Sequence, residues 1–523
     1  MAKEKIGNQM IREIEHLNQR RQKALQMGGP ERVDRQHKRG KLTARERVAL
    51  LMDDNTFQEY GLLANHQSHR AEMANKDAPA DGVITGFGQI NGLRAGVIAE
   101  DFTVMGGSIG MTHGMKKFRM VQLSTQERAP LIWLMDGAGA RAEEFIAEGL
   151  PMVAHHLFTA KMSGIAPSVG VVMGPCAGDS SLAACLLEFI IMTKKEGMLA
   201  AGGPPVVLAA TGEVVSKEDL GGWKVHCVES GVADNPAEDD ADAIAMTKRY
   251  LSYLPSSAYE YPPYMDTGDA PDRMDEDLLN IIPDNLLIPY DMKCIINSIV
   301  DRGTFFEIKP EYAKMMITGF ARMNGHVMGI IANQPKVFSG AITAKAAQKE
   351  RHFIDLCTAY HIPLLFLVDV PGIMTGQVAE KEGVLRYGLE LAYSLSWSDV
   401  PKITVVIHKA FGMGGAVMCG YGAGQTLTLA WPRVNFGSIP AGGGVLAAHQ
   451  AELAAAADPK ALARELEEAY NKYQGPYQAA STFNVDDVID PRETRPRIIR
   501  ALELSLGRRT APASPGMRWG VMP

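Results

Sequence analysis

Four glycine-containing turns could do chemistry without any reactive side chain. In the first half of the chain, Gly137-Ala138-Gly139 follows the apolar run LIWLMD, and Cys176-Ala177-Gly178-Asp179 follows VGVVMGP. In the second half, Pro371-Gly372 follows LLFLVD, and Phe411-Gly412-Met413-Gly414-Gly415-Ala416 follows KITVVIHKA. A glycine turn between a buried strand and a helix lets backbone N–H groups converge outward. There they can hold a developing oxyanion, aided by the helix N-terminus. That suits a reaction passing through an enolate. One such turn in each half predicts a single active site with two oxyanion holes.

Motifs for other chemistries are missing. The sequence has no Walker A loop and no HExxH. GMGGAV is a poor dinucleotide fingerprint, because no single Rossmann unit surrounds it. His113, His226 and His408 are candidate acid–base groups, but each taken alone reads as structural. The six cysteines form no CxxC pair, so they read as buried reduced thiols rather than a metal site or a disulfide framework. No metal is expected in this chain.

The turns need strands and helices to place them, and the chain supplies these twice. Residues 84–102 (ITGFGQINGLRAGVIAEDF) and 317–335 (ITGFARMNGHVMGIIANQP) are identical at nine of 19 positions, at an offset of 233. Asp136 and Asp369 keep that offset. Each half reads as a hairpin around Asn91-Gly92 or Asn324-Gly325, then a helix, a buried strand, a helix and a second buried strand ending in a glycine turn. This predicts an α/β fold with two homologous domains, 1–254 and 290–523. A Pro- and Asp-rich linker, 255–289, would join them.

Net charge is −7 over 523 residues, which argues against nucleic-acid binding. Residues 1–47 nevertheless carry 13 Lys/Arg against six Asp/Glu. This basic helical segment, with Arg32, Arg35, Lys38, Arg39, Lys41, Arg45 and Arg47, could meet a phosphorylated ligand or an acidic partner. No apolar run approaches the roughly 20 residues needed to span a bilayer, and the N-terminus does not read as a signal or transit peptide. A cytoplasmic protein with no membrane contact is expected.

RGKLTARERV (39–48), DGVITGFGQINGL (81–93), DFTVMGGSIGMTHGMK (101–116), MGPCAG (173–178), TGEVVSKEDLGG (211–222), DVPGIMTG (369–376), VPKITVVIHKAFG (400–412) and AWP (430–432) together resemble the carboxyltransferase (beta) subunits of biotin-dependent acyl-CoA carboxylases, the propionyl-CoA and 3-methylcrotonyl-CoA carboxylase family. The resemblance runs from about residue 10 to 505. It implies two tandem crotonase-like (ClpP/crotonase) domains in a homo-oligomer, usually a hexamer. Acyl-CoA would sit against the first domain. Biotin, carried on a separate biotin carboxylase or carboxyl carrier subunit, would reach the second domain and itself take the α-proton. By position, Gly178 and Asp179 would bind the thioester oxygen, and Gly414, Gly415 and Ala416 the biotin ureido oxygen. Gly137, Ala138, Gly139, Ala140, Arg141, Arg39, Lys41, Gly372 and Met418 would line the substrate and cofactor sites. An apolar Met418, where many propionyl enzymes are acidic, suggests a different acyl group.

The chain departs from the family at three places. Asp179 stands where a second glycine is usual, Gly137–Arg141 replace SGGAR, and Ile439–Gly444 (IPAGGG) follow AWP. A carboxylate beside an enolate is unfavourable unless it points away. No biotinylation sequence of the Ala-Met-Lys-Met type is present and no ATP-grasp domain fits beside the two halves, so a partner in trans is expected. Three alternatives stay open: the equivalent subunit of a biotin-dependent acyl-CoA decarboxylase, a biotin-independent crotonase-type enzyme using Asp179 with Glu143, and a non-catalytic assembly subunit.

Overall fold

A computed structural model of the chain describes residues 2–145, 155–285, 288–507, 509, 511–517 and 520–523. It divides into two compact units, Met1–Ser257 with Trp519–Pro523, and Ala258–Arg518. From Ala258 onward, the Pro-rich stretch 255–289 belongs to the second unit. Within it, Arg273 is held by the Asp269 carboxylate and by the carbonyls of Ser298 and Val300.

Each unit is built on an eight-stranded sheet. The first contains β1 (Gln58–Tyr60), β2 (Val83–Ile90), β3 (Leu93–Glu100), β4 (Leu131–Gly137), β5 (Ser168–Ala177), β6 (Phe189–Thr193), β7 (Met198–Ala200) and β8 (Asn235–Ala237). The order is β1-β2-β3-β4-β5-β6-β8, with β7 on the end of β5. The second contains β9 (Phe306–Ile308), β10 (Met316–Met323), β11 (His326–Asn333), β12 (Leu364–Val370), β13 (Lys402–Phe411), β14 (Leu427–Ala430), β15 (Asn435–Gly437) and β16 (Asp487–Val488). Its order, β9-β10-β11-β12-β13-β14-β16 with β15 on the end of β13, is the same sheet again. In both, the first three strands are antiparallel and the rest parallel. This is the tandem crotonase-like α/β architecture.

The repeat holds at the level of single residues. Asn91 and Asn324 take left-handed φ of 52° and 50°, with Gly92 and Gly325 at 79° and 78°. These are the two positive-φ positions of a type I′ hairpin turn. One aspartate accepts from both turn amides in each case, Asp53 at 3.1 and 2.7 Å and Asp301 at 3.0 and 2.8 Å. Lys116 and Lys349, 233 apart, each point an ammonium at three backbone carbonyls: Gly61, Ala80 and Val83 in one unit, Lys309, Tyr312 and Met316 in the other. Three N–H donors are thus used.

β4 and β12 are buried along their whole length, as expected for parallel strands covered on both faces. Their register with the next strand slips at matched places, around Asp136 and around Asp369. The glycine turns emerge just beyond those slips.

Candidate active site

β5 ends at Ala177, and Gly178 turns the chain into the short helix Asp179–Ala184. Gly178 has φ 71°, and a Cβ there would meet nothing within 4 Å. Glycine is needed for its backbone conformation, not for space. The turn Gly137–Gly139 lies alongside: a Cβ on Gly139 would come 3.0 Å from the Ala177 carbonyl. The Gly178 N–H donates to the Ala200 carbonyl at 3.2 Å. The donors this turn offers therefore begin at Asp179, whose N–H is in the first helical turn and has no acceptor within the helix.

The second unit repeats the arrangement more tightly. Gly412 (φ 55°) leads into the helix Gly412–Val417, and a Cβ on Gly414 would lie 2.6 Å from the Gly372 carbonyl carbon. Here glycine is required by contact. Matched bonds brace both turns: the Ile109 and Ile342 N–H groups donate to the Gly139 and Gly372 carbonyls at 2.8 and 3.1 Å. Ala140, the residue after Gly139, forms an isolated bridge with Ile109.

Asp179 points away from the turn surface. One carboxylate oxygen lies 2.9 Å from Lys117 Nζ and 2.9 Å from His155 Nε2, and the other 3.5 Å from His156 Nε2. Lys117 also meets Ser180 Oγ at 3.1 Å and Glu100 at 3.6 Å, and rests 4.5 Å above the Trp133 ring. Burial alone would raise the Asp179 pKa, but the His155 hydrogen bond and the Lys117 charge outweigh it and hold the carboxyl well below its usual range. Burial pulls His155 down against the same partner, and burial raises Glu100 against Lys117. Ligand-type atoms of His155, His156 and Asp179 fall within 4.8 Å of one another. The Lys117 ammonium already sits on that carboxylate, where it would repel a dication.

Two expected ligand cations are placed elsewhere. Lys41 is buried with Arg47 on Asp136, at 2.7 and 2.8 Å, and Arg47 also reaches Asp240 at 2.8 Å. Arg141 is buried between Asp81 and Glu144 at 2.7 and 2.6 Å. Removing such ions from water requires full internal pairing, so Lys41 and Arg141 fix the turn at β4 rather than meet a ligand directly. Arg39 remains at the surface, paired with Glu196 and 5.8 Å from the Phe102 ring centroid.

Arg39 lines a cleft of about 570 Å³ with Arg32, Arg35, Lys38, Phe102, Thr103 and Gly106. The Gly106 carbonyl accepts from the Ala138 N–H at 2.9 Å, which ties the basic cleft to the first glycine turn. In the second unit a cleft of about 380 Å³ opens beside Gly412, Gly415 and Ala416, with Met418 in its wall and Thr404, Ser438 and Gln478 among its polar groups.

The histidines singled out from sequence are structural. His113 is fully buried on the Asp81 carbonyl, His226 meets Leu199 and Ser230, and His408 lies 3.5 Å from Asp369. Glu143 pairs at 3.7 Å with Lys76, whereas Asp179 is paired with Lys117 and His155. Sequence reasoning missed Lys117, His155 and His156. The adjacent His155-His156 doublet was the available signal.

The carboxyl transferase domain family matches residues 35–515. The chain is 40% identical to methylmalonyl-CoA decarboxylase subunit alpha of Veillonella parvula, over 95% of this chain and 96% of that protein. It is 38% identical to the propionyl-CoA carboxylase beta chain of Roseobacter denitrificans, over 93% and 95%. Among solved structures, the transcarboxylase 12S hexamer with methylmalonyl-coenzyme A and methylmalonic acid bound matches 97% of this chain and 98% of its own, at 37% identity and a TM-score of 0.89. The chain belongs to the carboxyl transferase family, as a carboxyltransferase subunit of the acyl-CoA carboxylase type.

Proposed function

We propose that this chain moves a carboxyl group between biotin, carried on a separate subunit, and the α- or γ-carbon of an acyl-CoA. The observation that carries this reading is the pair of glycine turns at matched places in the two units of a carboxyl transferase. Asp179 and the next first-turn N–H groups hold the thioester oxygen as the enolate forms. Gly414, Gly415 and Ala416 hold the ureido oxygen of biotin, and the cleft beside them has room and polar groups for that ring. Biotin supplies the carboxyl group and takes the α-proton when bound. Arg32, Arg35, Lys38 and Arg39 receive the phosphates of coenzyme A, with Phe102 as a stacking face. Met418 shapes the wall that receives the reacting group. The inward, ion-paired Asp179 removes the objection to a carboxylate near an enolate.

The working form on this reading is a homo-oligomer, a hexamer as in transcarboxylase 12S, acting in the cytoplasm with a biotin-bearing partner. No helix among the described residues is long and apolar enough to cross a membrane. A second reading runs the transfer toward decarboxylation, favoured by the 40% identity with a methylmalonyl-CoA decarboxylase subunit.

The test is the reverse half-reaction. The purified chain should carboxylate free biotin from one of malonyl-, methylmalonyl-, 3-methylglutaconyl- or glutaconyl-CoA. The productive donor names the acyl class. Folded protein that binds CoA esters yet transfers from none of them contradicts the proposal.

A further inference from the structure

We propose that His156, oriented by Asp179, is a proton-transfer group at the first glycine turn, giving this chain a base of its own that exchanges the α-proton of an acyl-CoA without biotin. The inference rests on the reading that the thioester oxygen binds at the Asp179 turn.

The geometry assigns the roles. His156 Nε2 lies 3.3 Å from the Asp179 carbonyl and 3.5 Å from its carboxylate. The carbonyl can only accept and makes the hydrogen bond, with the carboxylate a charged neighbour beside it, so Nε2 carries the proton and Nδ1 keeps a lone pair. The His156 side chain is 32% exposed, while Asp179, His155 and Lys117 behind it are buried. The His155 ring stacks on it at 4.3 Å. Lys117 and His155 fix the Asp179 side chain, and with it the residue whose carbonyl holds His156. Exposed Leu157 and Leu182, on the same two short helices, offer apolar cover for an acyl or pantetheine chain. The Lys117 ammonium on Asp179 favours this proton-handling role over a metal site.

In the step, the Cα–H bond breaks and an N–H bond forms at His156 Nδ1. The electron pair of the C–H bond moves onto the thioester oxygen as an enolate, held by the turn N–H groups. The reverse step returns a solvent-derived proton to carbon, so no other reactant is consumed.

The full chain is incubated with acetyl- or propionyl-CoA in D2O without biotin, and deuterium at the acyl α-carbon is followed by mass spectrometry. The expected result is incorporation that falls about a hundredfold or more in His156→Gly and recovers with added imidazole. Asp179→Asn, which keeps the backbone N–H and carbonyl but removes the charge beside the ring, should lower the rate by less and not respond to imidazole. Undiminished exchange in His156→Gly overturns the proposal. So does exchange abolished by a chelator and restored by Zn²⁺, which would assign a metal site. The carboxyl-transfer assay on the same preparation separates the two readings. Transfer without exchange overturns this inference alone, and folded protein that does neither overturns both.

Discussion

Lys117 of the first half corresponds to Glu350 of the second, 233 residues later, and Glu100 to Asn333. In the first unit these positions build a polar network beneath the glycine turn: Lys117 reaches Asp179 and Ser180, and the Ser180 hydroxyl donates to Glu100. Among the described residues of the second unit no matching network is present. Glu350 is fully buried, neither of its oxygens has a hydrogen-bond partner among the described residues, and burial pushes its pKa well above the ordinary value. The turn above it consists of Met413, Gly414 and Gly415, which offer it no polar side chain. The strands, hairpins and carbonyl-capping lysines of the two units match, while the chemistry beneath the turns does not. On the proposed reading, one backbone design serves two ligands, with its selectivity carried by the residues behind the turn.

The largest expected effect breaks the shared feature. Gly414→Ala should lower carboxyl transfer by about 10²–10³-fold, the usual cost of losing an oxyanion donor, because its Cβ would press on Gly372 at 2.6 Å. Steady-state transfer kinetics with circular dichroism as the folding control will check this. Next comes the network itself. Lys117→Met leaves Asp179 and Glu100 buried without their cation and should cost about 3–5 kcal/mol in denaturant unfolding. The matched change in the other half has the opposite sign: Glu350→Met replaces an unpartnered buried acid by an apolar side chain and should stabilise by about 1–3 kcal/mol at pH 7.

The smallest effect is the pH dependence, again opposite in the two halves. The folded pKa of Asp179 is depressed, so its contribution is present above the unfolded carboxyl pKa and is lost as pH falls through the folded value. The folded pKa of Glu350 is raised, so its contribution is complete below the unfolded value of 4.5 and is lost as pH rises toward the folded one. Asp179→Asn should flatten the acid limb of the stability profile, and Glu350→Met should remove part of the decline from pH 4.5 toward neutrality.

Much of this was legible in the sequence. The 233-residue repeat and the two Asn-Gly hairpins report local rules, left-handed φ and strand period, that a linear chain displays. The glycine turns were legible for the same reason, although that Gly178 donates to Ala200 depends on the pairing of β7 with β5. The direction of Asp179 was not legible. It is set by Lys117, 62 residues earlier, and by His155 across a helix contact. Nor did the basic character of residues 1–47 reveal that Lys41 and Arg47 turn inward to Asp136 while Arg32, Arg35 and Arg39 stay in the surface cleft. Charge composition reports excess, not facing.

The division of labour between the two units is the central claim, and one measurement addresses it most directly. It is carboxyl transfer from the productive acyl-CoA donor to free biotin, with the KM of each substrate determined separately for two variants. Arg35→Ala with Arg39→Ala removes two of the four cations lining the basic cleft of the first unit, and Ala416→Phe fills the cleft of the second. The account predicts that the first variant raises the KM for the acyl-CoA about tenfold or more, as lost charge-assisted contacts to phosphate would, and leaves that for biotin in place, with the reverse for the second. The opposite assignment, or both constants rising together in either variant, would contradict it.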